Sequence, residues 1–318
     1  SPYQARSVRK IGDESWRDVS GGQIDPTRAY VHRLRTGASI DIFFYDGPVS
    51  QAVAFERLLD SGERFANRLM SAFSDARDWD QLVHIATDGE TYGHHHRYGE
   101  MALAYALDHI ERCGLARLTN YGEYLEQHPP LHEVRIVENT AWSCVHGVGR
   151  WKESCGCNTG AHSDWNQNWR KPLREALDWL RDLITPQFES AAGRLVHEPW
   201  AARDAYIDVL LDHSETSRLK FLRDHTLKPL SRNQEVRLWK MLEMMRHAML
   251  MYTSCGWFFD DLSGIETIQV IQYAGRVVQL AEELFGAPVE ATFLEHLSKA
   301  VSNIPEQGDG ARIYARFV

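Results

Sequence analysis

Five ionisable side chains follow a short apolar segment in the first third of the chain. The segment, Leu82–Ala86, predicts a buried strand, and Asp88, Glu90 and the three histidines at 94–96 follow it. Periodic apolar residues then predict a helix from about Arg97 to about Cys113. In parallel α/β folds the chemistry lies at the carboxyl ends of strands, where Asp88 and Glu90 are placed. The structural alternative is a helix-capping aspartate beside a solvated loop.

An acid/base role is the chemistry that Asp88 and Glu90 could support together. A carboxylic acid donates a proton near neutral pH only if its pKa is raised, by burial or by a second carboxylate nearby. Glu90 lies two residues further on, so in an extended segment it shares a face with Asp88 and could be that neighbour. Alternatively, Glu90 anchors the helix that follows.

The elements around this stretch predict an α/β region. Strands are predicted at 29–34, 39–45, 115–118 and 132–137, with helices at 50–73 and 119–125. Asp46 follows the strand at 39–45 and could cap the next helix or position a ligand hydroxyl group. The strand-helix-strand-helix order is typical of a parallel sheet or barrel.

A long glycine-rich segment at 138–164 contains tryptophan, cysteine and histidine residues. Loops beyond about 12–15 residues in compact domains are usually functional or disordered. Disorder is disfavoured here by four tryptophans, Trp142, Trp151, Trp165 and Trp169. Cys144, Cys155, Cys157 and Cys255 are weak metal candidates, together with His146 and His162. The C-x-C spacing differs from the C-x2-C of zinc knuckles, so buried thiols without a metal are the favoured interpretation.

The remainder of the chain is predicted to be helical. Capping boxes at Ser231–Gln234 and Ser263–Glu266 open two long apolar helices, the second ending at Gly286, and a last helix covers 290–301. The predicted organisation is therefore a β/α region at 1–137, a connecting loop at 138–164 and a helical region at 165–318.

Composition excludes several classes of function. The chain has 318 residues and a net charge of −9, which argues against a nucleic-acid surface. It has no apolar segment of the roughly 18 residues that a membrane span needs, and no signal peptide. Five cysteines form no even disulfide framework, so a cytoplasmic location is expected. Oligomeric state stays open.

The stretch from Asp88 to Gly93, Asp-Gly-Glu-Thr-Tyr-Gly, resembles a motif of glycoside hydrolase family 57. The family acts on α-glucans, and the resemblance implies that Asp88 is the catalytic general acid/base. It also implies a fold of the α/β plus all-α class, the C-terminal part of an incomplete (β/α)7 barrel followed by a helical domain. Ser1–Ala5 resembles the family segment that follows the nucleophile strand, so the nucleophilic glutamate is expected upstream of this chain.

Three further stretches resemble one subgroup of the family, which carries a helical C-terminal domain of unknown function. These are Ala141–Trp151, Ser154–Gly160 and Ser254–Gly264. The resemblance implies that the C-terminal helices help to close the cleft, where aromatic rings stack on sugar. The residues predicted to contact substrate are Asp46, Glu90, His94, His95, Trp142, His146, Arg150, Trp151, Trp257 and Asp260.

The function that the resemblance implies is that of a retaining glycoside hydrolase or transglycosidase acting on an α-glucan, without a cofactor. Two alternatives stay open. One is a carbohydrate-binding or regulatory module without catalysis. The other is a metal-dependent hydrolase that uses the Asp/His cluster, although adjacent histidines do not naturally point at one ion.

Overall fold

The computed structural model describes all 318 residues. The chain divides into two compact units, Ser1–Val145 and His146–Val318. None of the helices combines the length and the apolar composition that crossing a lipid bilayer requires. The finer boundaries at 137 and 164 stay predictions.

A five-stranded sheet forms the centre of the first unit. Its strands are β1 (Ala5–Lys10), β2 (Arg17–Asp18), β3 (Ala29–Arg33), β4 (Ser39–Phe43) and β5 (His132–Ile136). Their order across the sheet is β2-β1-β5-β3-β4, and only β3 and β5 run parallel. Val8 on β1, Tyr30 on β3 and Val134 on β5 are buried in one apolar cluster.

Four helices complete the first unit: α1 (Gly47–Phe55), α2 (Gly62–Met70), α3 (Gly99–Arg112) and α4 (Tyr121–Gln127). α1 begins where Asp46 Oδ1 accepts a hydrogen bond from the Val49 amide at 2.9 Å. α2 and α3 pack together through a second apolar cluster that includes Phe65 and Ala106. The predicted helix after Arg97 and the predicted helix near 119–125 are both confirmed as α3 and α4.

The sequence predicted a parallel sheet, and this is wrong because only one of the four strand pairs is parallel. The mixed α/β class is confirmed. β4 is an edge strand with its first three residues exposed. Residues 82–86 form no strand, and neither do residues 115–118. The 82–86 segment is joined to two separate partners, by Leu82 N to Thr27 O and by Asp46 N to His84 O, both at 2.9 Å. Single bonds to different segments do not build a ladder. The barrel itself stays a prediction.

A buried carboxylate links the three central strands. Glu133 on β5 is 7% exposed, and its two oxygens pair with Arg9 on β1 and Arg33 on β3, each at 2.6 Å. Hydrogen bonds from Arg33 and Arg9 lower the pKa of Glu133 below its ordinary value. The carboxylate therefore contributes stability above its unfolded pKa of about 4.3 and loses it as the pH falls through its folded pKa.

Replacing Glu133 by alanine is expected to destabilise the sheet by about 2–3 kcal/mol. The two arginines would lose their common partner, but their partial exposure keeps the cost below that of a fully buried pair. Urea unfolding at pH 7, with hydrogen exchange of the β1 and β5 amides, measures the change. Asp41→Ala on exposed β4 is the control, and an equal effect of both variants would contradict this account.

Seven helices form the second unit, as the sequence largely predicted. They are α5 (Arg170–Ala192), α6 (Pro199–Leu211), α7 (Glu215–His225), α8 (Arg232–Leu250), α9 (Ile265–Phe285), α10 (Glu290–Leu297) and α11 (Gly310–Phe317). The Ser231 capping box and the left-handed Gly286 at the end of α9 are confirmed. The second capping box is wrong, because Gly264 precedes α9 and Ser263 instead donates to Asp261.

Candidate functional site

Asp88 occupies the position at which an extended segment turns into the 3-10 helix Gly89–Thr91. Its side chain is exposed and accepts no capping hydrogen bond, unlike the side chain of Asp46 at the start of α1. The Asp88 carboxylate therefore does not cap the helix, which was the structural alternative. The carboxylate is left open to a ligand.

The backbone after Asp88 is tightly folded. Glu90 O accepts hydrogen bonds from the amides of His94 (3.2 Å) and His95 (2.9 Å), and Gly93 N donates to His96 O at 3.1 Å. Gly93 has a φ of +111°, which favours glycine, and a Cβ there would lie 3.2 Å from Glu100 Oε2. The positive φ explains why position 93 is a glycine. The hydrogen bonds of this turn hold residues 88–96 in a defined loop.

The three histidines of this loop differ in their surroundings. His94 and His95 are exposed, with ring centroids 5.3 Å apart, whereas His96 is half-buried and its Nε2 lies 3.0 Å from Ala54 O. His96 therefore ties the loop to the end of α1. The ligand atoms of these histidines, Asp88 and Glu90 do not gather into a metal-binding group. The arrangement does not favour the metal-dependent alternative.

The segment that leads into Asp88 is anchored on both sides. Ser50 Oγ accepts from Ala86 N at 3.1 Å and donates to Asp46 O at 2.7 Å. The His84 ring lies 3.0 Å from Tyr121 Oη and 3.1 Å from Pro26 O, and burial lowers the pKa of His84. A neutral, doubly hydrogen-bonded His84 therefore fixes the chain four residues before Asp88. Because Asp46 Oδ1 caps α1, only part of that carboxylate remains for the predicted contact with sugar.

A cavity of about 970 Å³ lies beside this segment in the first unit. His84, Tyr121 and Tyr124 line it together with apolar residues of α2 and α3. Asp88, Glu90, His94 and His95 do not line it. The volume is large enough for a small ligand, but the ionisable residues predicted to do chemistry lie outside it.

Four of the predicted substrate contacts belong to the second unit's interior or to its fixed loops. Trp257 is 1% exposed and stacks on Trp169, with centroids 6.4 Å apart. Arg150 is buried, with Nη1 donating to Phe258 O at 3.2 Å. Asp260 is buried and accepts from Thr159 N at 2.9 Å, and Trp151 is half-buried. Packing and loop anchoring explain Trp257, Arg150 and Asp260, so none of them offers a sugar platform here.

The remaining predicted contacts are more open. Trp142 is 65% exposed, which leaves its ring available for stacking. His146 is exposed, and its Nδ1 lies 3.4 Å from Cys157 Sγ. Cys255, a weak metal candidate from the sequence, is exposed in the 3-10 helix Ser254–Trp257. It lies outside the group that contains Cys144, Cys155 and Cys157.

Sequence comparisons agree with the resemblance drawn from the motifs. Residues 11–136 match the family model "Glycosyl hydrolase family 57", and residues 165–318 match "Domain of unknown function (DUF3536)". Asp88 and the loop that follows it fall within the first match. No curated protein matches the sequence.

A solved structure shares the fold. The exo-type maltose-forming amylase from Pyrococcus sp. ST04 superposes with a TM-score of 0.59 at 15% sequence identity. The match covers 93% of this chain and 51% of the amylase, so the chain spans about half the length of that protein. The likeness at this identity concerns the fold.

Proposed function

We propose that this chain, whose residues 11–136 match glycosyl hydrolase family 57, functions in an α-glucan-active retaining glycoside hydrolase or transglycosidase. The observation that carries the proposal is Asp88: it lies in the family match and presents a carboxylate that is exposed and takes no part in capping. The printed name of the structural neighbour, a maltose-forming amylase, supports an α-glucan as the substrate class. The first unit would then be the late part of an incomplete barrel.

The proposed chemistry assigns one carboxyl group to Asp88. In a retaining reaction Asp88 protonates the glycosidic oxygen as the bond to the leaving sugar breaks, and a nucleophilic glutamate forms the glycosyl-enzyme. Asp88, now a carboxylate, removes a proton from the incoming water or sugar hydroxyl group. The two carboxyl groups of such a pair stand about 5–5.5 Å apart. No cofactor is needed for these steps.

Exposed polar and aromatic residues of the first unit suit the binding of a sugar. Glu90, His94 and His95 are exposed on the same short loop, and carboxylate and imidazole groups exchange hydrogen bonds with sugar hydroxyl groups. Trp142 offers an exposed aromatic ring of the kind that stacks on a pyranose. We propose these four residues as substrate contacts, with Asp46 as a weaker member because it caps α1.

Incubation of the natural full-length protein with maltoheptaose tests the proposal. Chromatography of the products should show shorter or longer glucans with the wild type and about 10²–10⁴-fold slower product formation with Asp88→Asn. The matched control is Asp108→Asn, which removes an exposed carboxylate on α3 that pairs only with exposed Arg112. The control should keep wild-type turnover.

A binding measurement with maltoheptaose on the same proteins separates the proposal from a module that binds glucan without catalysis. If the wild type binds maltoheptaose without changing its chain length, and Asp88→Asn binds it equally well, the chain is a binding module and not an enzyme. Equal turnover by the wild type and Asp88→Asn would instead reject Asp88 as the acid/base.

A further inference from the structure

Four potential metal ligands converge in one short stretch of the chain. Cys144, His146, Cys155 and Cys157 place their ligand atoms within 4.8 Å of one another. Cys157 Sγ and His146 Nδ1 are 3.4 Å apart. Cys144 is buried, Cys155 and Cys157 are half-buried, and His146 is exposed, so the group reaches the surface on its histidine side. We call these four residues the CHCC cluster.

The separations fit a tetrahedral site. With Zn–S bonds of about 2.3 Å and Zn–N bonds of about 2.0–2.1 Å, tetrahedral angles place sulfurs about 3.8 Å apart and sulfur and nitrogen about 3.6 Å apart. The observed Sγ–Nδ1 distance of 3.4 Å lies close to the second value. Because the widest separation in the cluster is 4.8 Å, side-chain adjustments of about 1 Å suffice to bring all four atoms onto one ion.

Glycines make this convergence possible. Gly147 and Gly156 adopt positive φ values of +73° and +82°, directly after His146 and between the two cysteines of the C-x-C pair. Gly149 lies between ligands: a Cβ there would be 3.0 Å from Cys155 Cβ and 3.5 Å from His146 Cβ. The backbone thus approaches itself closely around the cluster, as expected for a loop built around a small bound group.

A buried cation lies against the cluster. Arg170 is 0% exposed, its Nη1 lies 4.0 Å from Cys155 Sγ, and the same nitrogen donates to Cys157 O at 2.8 Å. Three thiolates, a neutral imidazole and Zn²⁺ carry a net charge of −1, which one arginine neutralises. A donor that touches a ligand sulfur and holds a ligand's backbone is also the usual supporting partner of a metal site.

We propose that Cys144, His146, Cys155 and Cys157 bind one Zn²⁺ ion in a closed Cys3His site. Four protein ligands leave no open position for substrate, so the metal would order the 144–157 segment rather than act in catalysis. Thiolate and imidazole ligands in tetrahedral geometry select zinc over magnesium or calcium. The inference is independent of the proposed glycosidase activity, because it rests only on the CHCC cluster and its surroundings.

Metal content of the purified protein tests the site. The full chain, purified in reducing buffer without a chelator or an affinity metal, should carry about one zinc per chain by plasma mass spectrometry. The double variant Cys155→Ser/Cys157→Ser should lose that zinc. The matched controls are Cys113→Ser and Cys255→Ser, which change exposed cysteines outside the cluster and should keep the full zinc content.

Cobalt substitution of the wild type tests the site even if the double variant does not fold. The wild type exchanged with Co²⁺ should show thiolate-to-metal charge transfer and the strong visible bands of a tetrahedral site. His146→Ala, which changes an exposed residue, should stay folded by circular dichroism and lose metal affinity at least tenfold. Removal of zinc by a chelator should lower the thermal midpoint of the wild type and leave that of the double variant unchanged.

Three results would overturn the proposal. One is the absence of stoichiometric zinc from the wild type together with no tetrahedral cobalt spectrum. Another is equal zinc content in the wild type and the double variant. The third is a disulfide among Cys144, Cys155 and Cys157 in protein kept under the reducing conditions of the metal analysis, which would make the cluster a redox pair.

Discussion

Asp88→Asn is expected to reduce the turnover of maltoheptaose by about 10²–10⁴-fold, the range that general acid–base catalysis contributes. The loss should depend on the leaving group, because a phenol of low pKa departs without protonation whereas a sugar hydroxyl group needs the acid. An activated aryl α-glucoside should therefore form the glycosyl-enzyme almost as fast in the variant. Its hydrolysis should then stall, since the same residue activates water.

Steady-state and pre-steady-state kinetics with both substrates measure this difference. Asp108→Asn should behave as the wild type with each substrate, as an exposed carboxylate on α3 should. Equal losses on the activated and the natural substrate would indicate that Asp88 only supports the fold or binds sugar. The folded state of Asp88→Asn is verified by its unfolding midpoint, which an exposed side chain should change little.

Asp261→Ala is expected to destabilise the second unit by about 3–5 kcal/mol. Asp261 is 5% exposed and accepts hydrogen bonds from Ser263 N (2.8 Å), Ser263 Oγ (2.6 Å), Ser302 Oγ (2.8 Å) and Asn303 N (2.6 Å). Each bond to a charged group is worth about 1.5–3 kcal/mol, and deletion leaves buried donors without an acceptor. The carboxylate joins the start of α9 to the segment at 302–303.

Urea unfolding at pH 7 measures the effect of Asp261→Ala, and Asp182→Ala is the control. Asp182 is 69% exposed and pairs with Arg181 on the surface, so its loss should cost less than about 1 kcal/mol. Similar costs for the two variants would show that the Asp261 hydrogen bonds do not stabilise the unit.

The contribution of Asp261 to the free energy of unfolding should depend on pH in a defined direction. Burial alone would raise the pKa of Asp261, but the hydrogen bonds from Ser263, Ser302 and Asn303 outweigh it and lower that pKa. Its stabilising contribution is therefore complete above the unfolded pKa of about 3.9 and disappears as the pH falls through the lower folded pKa. The difference in unfolding free energy between the wild type and Asp261→Ala should shrink in that acid range.

Local signals in the sequence predicted much of the fold. The helical period after Arg97, the Ser231 capping box and the glycine at 286 each act within a few residues, and all three are confirmed. The segment at 82–86 was mispredicted because an apolar run reports burial, whereas a strand also needs a neighbour with matching hydrogen bonds. That neighbour is a property of the tertiary structure.

The candidate sites show the same limit of sequence reasoning. The motif at 88–93 singled out Asp88, whose carboxylate is exposed and does not cap the following 3-10 helix; its catalytic role stays a prediction. Trp257, by contrast, has the residue type of a sugar platform, and only its 1% exposure identifies it as core. The C-x-C spacing argued against a metal, because the sequence alone does not show that Cys144 and His146 lie within 4.8 Å of Cys155 and Cys157.

Azide rescue of Asp88→Asn is the most direct test of the central claim, that Asp88 is the acid/base of a retaining α-glycosidase. Azide needs no general base to attack the glycosyl-enzyme, so the natural full-length variant with an activated α-glucoside should release the α-glucosyl azide, identified by NMR. The β-anomer would make Asp88 the nucleophile instead. If Asp88→Asn turned over the substrate at the wild-type rate without azide, a catalytic role for Asp88 would be contradicted.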